Sequence, residues 1–173
     1  GRISAEKSLV DLLRIWPLAE PLMVVGEGVQ QQLAKKICLE RGLAVQFLGN
    51  QSSQRVGEYM SASLGLIFPS KALEGAPLVY GEAMQAGLPV VAAEGSTLAT
   101  QTIADQTGST FSWTAPDSLD RTLKWIREQR WELSTRAHQV YLERYTPDAW
   151  IMGIIRNYTT AISAHKRSTD TSE

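Results

Sequence analysis

The sequence predicts an α/β fold, a Rossmann-like parallel sheet with helices on both faces, and three observations carry that expectation. Short apolar runs alternate with amphipathic stretches along most of the chain, an order that pairs strands in parallel with helices as crossovers. The runs are continuously apolar and bounded by glycine or proline, as strands buried on both faces are. With 173 residues there is material for one domain with a core and too little for two. We expect residues 1–164 to form that domain and residues 165–173, polar and without periodicity, to be a disordered tail.

The elements follow in order. Leu9, Leu12, Leu13 and Trp16 recur at helical spacing between Lys7 and Trp16, and Pro17 closes the segment. Leu22 to Val25 lies between Pro21 and Gly26 and reads as a strand. Val29 to Arg41 is a helix with Val29, Leu33, Ala34, Ile37 and Cys38 on one face and Gly42 at its stop. Val45 to Leu48, Leu64 to Phe68, Pro89 to Ala92 and Ser109 to Phe111 are further strands. Between them fall helices at Gln54 to Ser61, Leu78 to Ala86 and Leu98 to Asp105. Asp117 to Gln129 and Trp131 to Arg144 are helical, and Thr146-Pro147 starts a last helix, hydroxyl as cap and proline in the first turn. That helix carries Ile151, Ile154, Ile155, Tyr158 and Ile162 on one stripe, widened by Trp150 and Met152.

Composition narrows the function. Hydrophobic residues make up 43% and charged residues 20% of the chain, the balance of an ordinary globular domain. A formal net charge of −1 with scattered basic residues leaves no field to hold nucleic acid. The one cysteine, Cys38, cannot form an internal disulfide and sits on an apolar helix face, where it serves as a small core residue; a cytoplasmic location is expected. His138 and His165 lie away from the motifs and are expected on the surface.

Two motifs carry chemistry. Gly26-Glu27-Gly28 follows a strand and opens a helix, where backbone amides can approach a phosphate; a tight strand-to-helix turn explains it equally well. Gln31 stands where the dinucleotide fingerprint wants its third glycine, which disfavours NAD. Glu74 and Glu82 bracket seven residues, Gly75 to Gly81. If a helix starts near Pro77, Glu74 precedes its positive end and Glu82 lies a turn inside. The free amides of Leu78 and Val79 then face an anion between two carboxylates that accept from hydroxyls. A ligand with phosphates in the middle and polyols at both ends matches. The plainer alternative makes Glu82 a solvated helix residue and Glu74 a helix-start charge.

This stretch resembles the GT4-like retaining glycosyltransferases of the GT-B architecture, whose second domain carries two glutamates at this spacing. Gly1 to Lys7, Val24 to Gly28, Phe47-Leu48-Gly49, Phe68-Pro69-Ser70 and Glu82 to Ala92 are similar to family segments in the same order. The likeness runs to about Gly108.

The resemblance implies a donor-binding domain for a nucleotide sugar, a UDP-sugar or GDP-sugar, with no cofactor and no metal. Arg2 and Lys7 would grip the diphosphate and stabilise the leaving group. Glu82 would accept from the ribose, Glu74 would hold the transferred sugar, Gly26 and Gly28 would make the turn, and Leu48, Gly49 and Ser70 would edge the base. Ala76 and Pro77 replace an aromatic and a glycine common in the family, so the sugar pocket differs. Gly81 costs a helix about 1 kcal/mol relative to alanine and has no compensating role visible in the sequence.

The resemblance further implies an acceptor-binding domain and a first strand before Gly1, neither in this sequence, and so a chain that is inactive alone. It implies an apolar last helix exposed for docking to that domain or for self-association, and a peripheral membrane location through the other domain. A binding module without chemistry and a nucleotide-sugar epimerase are the rival readings.

Overall fold

A computed structural model describes residues 1–71, 78–115 and 117–170, the side chains of 164–170 excepted. Glu74, Ala76 and Pro77 therefore lie outside the described residues. The strands are β1 (Leu22–Val25), β2 (Val45–Gly49), β3 (Leu66–Phe68), β4 (Val90–Ala93) and β5 (Gly108–Phe111). The helices are α1 (Leu9–Ile15), α2 (Gln31–Arg41), α3 (Ser53–Ser61), α4 (Leu78–Gln85), α5 (Thr97–Asp105), α6 (Asp117–Glu128), α7 (Arg130–Arg144) and α8 (Pro147–Asp170).

Among the described residues all strand pairs are parallel, as expected, but the strands form two sets, β2–β1 and β3–β4–β5, and not one continuous sheet. Burial on both faces is clearest at β4, whose four residues are all fully covered. Val91 and Ala93 pack with Leu12, Leu13, Ile37, Leu119 and Ile126 from α1, α2 and α6. Val90 and Ala92 pack on the other side with Tyr80, Met84, Leu98 and Val140 from α4, α5 and α7. This alternation is the period of a strand sandwiched between two helical layers.

Local chemistry sets the boundaries. Ser52 caps α3 by accepting from Arg55 N–H, and Ser96 caps α5 by accepting from Ala99 N–H at 3.1 Å. Gly42 ends α2 in the left-handed region at φ 65°. Thr146 Oγ1 accepts from Ala149 N–H at 3.2 Å, the cap expected before Pro147.

Four expectations need correction. The first helix begins at Leu9, because Ala5–Lys7 is a 3-10 turn and Ser8 takes φ 54°. β3 starts at Leu66, two residues later than its apolar run suggests. Val29 is 92% and Leu33 43% exposed, so the buried face of α2 is Ala34, Ile37 and Cys38. The stretch expected as a tail is helical as far as Asp170; no glycine or proline follows Gly153, and extending a helix costs little once it is nucleated. His138 is exposed and Cys38 buried, as expected.

Candidate functional site

The N-terminal segment builds the centre of the site by lying across the β1–α2 turn. Gly1 N donates to Val25 O at 2.7 Å, Ile3 N–H to Glu27 O at 2.9 Å and Gln30 N–H to Ile3 O at 3.1 Å. This crossing explains both glycines of the turn. A Cβ on Gly26 would stand 2.0 Å from Gly1 O, and one on Gly28 would stand 2.2 Å from Ile3 O. Gly26 also takes φ 118°, closed to most side chains. Its amide donates to Gly49 O at 2.7 Å, the tight-turn alternative for this amide. α2 starts only at Gln31, so the glycines pack the turn and do not open the helix.

The crossing delivers Arg2 and Lys7 to the carboxyl ends of β1 and β3. There they line a cleft together with Ser70, Leu78, Val79 and Glu82. Ser70, almost fully buried, donates from Oγ to Glu6 O at 3.2 Å and so ties the end of β3 to the turn that carries Lys7. Arg2 and Glu82 are exposed and Lys7 half-buried. Burial and the charge of Lys7 lower the Gly1 amine pKa while Glu82 raises it, which sets both side chains within electrostatic reach of one point. Leu78 and Val79 open α4, and the first four N–H groups of a helix have no partner within it. The described residues thus bring two cations, one carboxylate and a helix start to one mouth.

Leu48 and Gly49 stand at the end of β2 but outside that mouth. Leu48 O accepts from Gln51 Nε2 at 2.6 Å, and Gly49, at φ 66°, receives Gly26. A recess of about 370 Å³ beside Arg2 is lined instead by their neighbours Asn50 and Gln51, with Glu27 and Val56. Asn50 Nδ2 donates to Glu27 Oε2 at 3.2 Å. The sequence motifs missed these side chains because no spacing rule links residue 27 to residue 50.

Behind α4 lies a polar network that no motif signalled. Asp105, almost fully buried, accepts from Tyr80 Oη at 3.0 Å, Gln101 Nε2 at 2.6 Å and Arg144 Nη1 at 2.6 Å. Tyr80 Oη also meets Thr107 Oγ1 at 2.7 Å. Burial pushes the Tyr80 phenol well above the usual tyrosine range. Tyr145 packs edge-on against Tyr80 at 6.0 Å, and a Cβ on Gly81 would stand 3.0 Å from its Cδ1. That contact supplies the compensating role for Gly81. Tyr80 and Gly81 immediately precede Glu82, so this packing fixes the helix turn that presents the carboxylate.

Comparison with known proteins decides the family. The family model described as glycosyl transferases group 1 matches residues 1–141. The chain belongs to this family. No curated protein matches this group 1 chain by sequence. Among solved structures, it is similar to the catalytic domain of cholesterol-alpha-glucosyltransferase from Helicobacter pylori, at 21% identity and TM-score 0.71 over 84% of this chain and 95% of that one. Anabaena Alr3699/HepE in complex with UDP is similar at 21% identity and TM-score 0.75, over 95% of this chain and 47% of that chain. Sucrose-phosphate synthase from Thermosynechococcus elongatus is similar at 21% identity and TM-score 0.73, over 95% and 44%. These likenesses show the fold, and the group 1 chain spans less than half the length of the last two.

Proposed function

We propose that this chain is the donor-binding half of a retaining hexosyltransferase, taking a UDP-sugar or GDP-sugar into the mouth between β1 and β3. One observation carries the reading: Arg2, Lys7 and Glu82 line one cleft with the start of α4 beyond the carboxyl ends of β1 and β3, where open α/β sheets bind ligands. HepE was solved with UDP and with UDP-glucose, which supports a nucleotide sugar as the ligand class.

In this reading Arg2, Lys7 and the amides of Leu78 and Val79 hold the diphosphate. When the bond from the anomeric carbon to the phosphate oxygen breaks, its electron pair stays on that oxygen, and the two cations stabilise the growing charge without a metal. Glu82 accepts hydrogen bonds from the ribose, Glu74 from the transferred sugar. Glu27, Asn50 and Gln51 border the base side. The acceptor comes on a second domain, and the exposed Trp150, Ile151, Met152, Ile155, Tyr158 and Ile162 of α8 form the face that meets it. That domain also supplies any peripheral hold on the membrane from the cytoplasmic side. No helix among the described residues is long and apolar enough to cross a membrane.

Calorimetric titration with UDP, GDP and ADP tests the reading. One nucleotide binds, and Glu82→Ala weakens it at least about tenfold, the loss of about 1.4 kcal/mol, while leaving the fold intact because Glu82 is exposed. The α8 face supports a second reading, a docking module without nucleotide. Absence of binding to all three nucleotides together with tight self-association establishes that reading and removes the first.

A further inference from the structure

α4 brings both its first turn and Glu82 to the cleft, yet its apolar contacts hold its rotation weakly. Besides Tyr80, its buried residues are Ala83 and Met84; alanine raises no ridge to lock into a neighbouring groove, and methionine repacks readily. The carboxyl end of α4 is tied to the chain entering β4, Leu88 N–H donating to Ala83 O at 2.8 Å. At the amino end the tie is Tyr80. Asp105, the last residue of α5, gives that tie a fixed post. Arg136 Nε donates to its main-chain oxygen at 2.8 Å, Arg144 Nη1 to its Oδ1 at 2.6 Å and Gln101 Nε2 to its Oδ2 at 2.6 Å. Burial raises the Tyr80 pKa, so the phenol keeps its proton. It donates to Asp105 Oδ2 at 3.0 Å and accepts from Thr107 Oγ1 at 2.7 Å. A buried ion pair adds little net stability over an apolar core of the same volume; what this one adds is a single arrangement of α4 against α5 and α7.

We propose that Tyr80 and Arg144 are positioning residues for the nucleotide: through Asp105 they set the rotation of α4, and with it the place where Glu82 meets the ribose. Tyr80, Asp105 and Arg144 stand outside the cleft, so they reach a ligand only through α4. Arg144 ends α7, its side chain is half exposed, and it holds Asp105 through one nitrogen. Its neighbour Tyr145 packs edge-on against Tyr80, so the corner between α7 and α8 moves with α4. The inference rests on the donor-site reading of Glu82 and adds to it that an arginine remote from the cleft tunes nucleotide affinity.

The test is a double-mutant cycle read by calorimetric titration with UDP and GDP, on wild type, Tyr80→Phe, Glu82→Ala and the double variant. Tyr80→Phe keeps the ring and loses only the bonds to Asp105 and Thr107. It weakens the nucleotide that binds by about fivefold or more in the wild-type background and by less than about twofold in Glu82→Ala. A hydroxyl that served stability alone would shift both backgrounds alike. Arg144→Gln repeats the pattern and carries the cycle if Tyr80→Phe does not fold. Arg144→Lys keeps a charge on Asp105, and since no bidentate fork is lost there, affinity returns to within about twofold of wild type. Equal losses in both backgrounds, unchanged affinity in Tyr80→Phe or Arg144→Gln, or no recovery with lysine overturns the proposal. A wild type that binds neither nucleotide, or a Glu82→Ala protein that binds as well as wild type, removes the donor-site reading itself and the proposal with it.

Discussion

Replacing Gly28 by alanine tests whether the N-terminal segment is locked onto the β1–α2 turn. The new Cβ would stand 2.2 Å from Ile3 O and 2.7 Å from both Ile3 C and Ile3 N. All three are backbone atoms, so no rotamer change relieves the overlap and the segment must lift. Overpacking of this kind costs about 1–3 kcal/mol. Lifting also strains Ile3 N–H to Glu27 O and Gln30 N–H to Ile3 O, each worth about 1 kcal/mol net. Alanine returns about 0.4–1 kcal/mol by restricting the unfolded chain, leaving a loss of about 3 kcal/mol. At about 2–4 °C per kcal/mol for this size, the midpoint falls by about 6–12 °C in calorimetry, with a matching loss in urea titration. Gly57→Ala is the control: Gly57 lies within α3 and nothing stands within 4 Å of its Cβ position. That change stabilises by up to about 1 kcal/mol. A Gly28→Ala protein that loses less than about 1 kcal/mol while the control behaves as stated refutes the locked crossing.

Three further outcomes follow from the packing around α4 and α2. Gly81→Ala destabilises the wild type through Tyr145, but in a Tyr145→Ala background it stabilises by about 1 kcal/mol, the helix propensity gain; the same sign in both backgrounds removes the aromatic contact as the reason for Gly81. Burial holds the Tyr80 phenol above its unfolded value of about 10, so the folded state keeps that proton longer. Its contribution is complete below about pH 10 and declines above it at up to about 1.4 kcal/mol per pH unit; urea unfolding between about pH 8 and 11 should show a shallower decline in Tyr80→Phe, and an unchanged one counts against the linkage. Burial raises the Cys38 pKa against the opposing charge of Arg41, so alkylation at pH 8 should run at least about tenfold slower in the folded protein than in urea; equal rates contradict a core thiol.

The architecture of strands between two helical layers was legible because it rests on local periodicity. Val90 to Ala92 and Leu22 to Val25 announce themselves as strands by apolar continuity between glycine and proline. The break between β1 and β3 was not legible, since strand pairing joins residues far apart and leaves no local trace. At the site, Arg2, Lys7 and Glu82 came from motif order, and the structure brings them together. Asp105 stayed invisible because its partners Tyr80 and Arg144 lie 25 and 39 residues away. The glycines of the turn were visible, but their reason was not: close approach of Gly1 and Ile3 is a property of the folded chain.

That reason changes how the two cations should be viewed. Arg2 and Lys7 sit on a segment held at three places through main-chain atoms, by Val25, by Glu27 with Gln30, and by Ser70 on Glu6. Because the backbone fixes the location of Arg2, exchanging its side chain should disturb binding without disturbing the fold. Arg2→Lys keeps the charge and loses the fork that matches two phosphate oxygens. Nucleotide affinity should therefore fall about tenfold or more, one lost charge-assisted hydrogen bond being worth about 1.5–3 kcal/mol, with a thermal midpoint within about 1 °C of wild type for an exposed position. A parallel fall in affinity and midpoint would mean that the guanidinium, and not the main chain, pins the segment. Unchanged affinity with an unchanged midpoint would remove Arg2 from the diphosphate altogether.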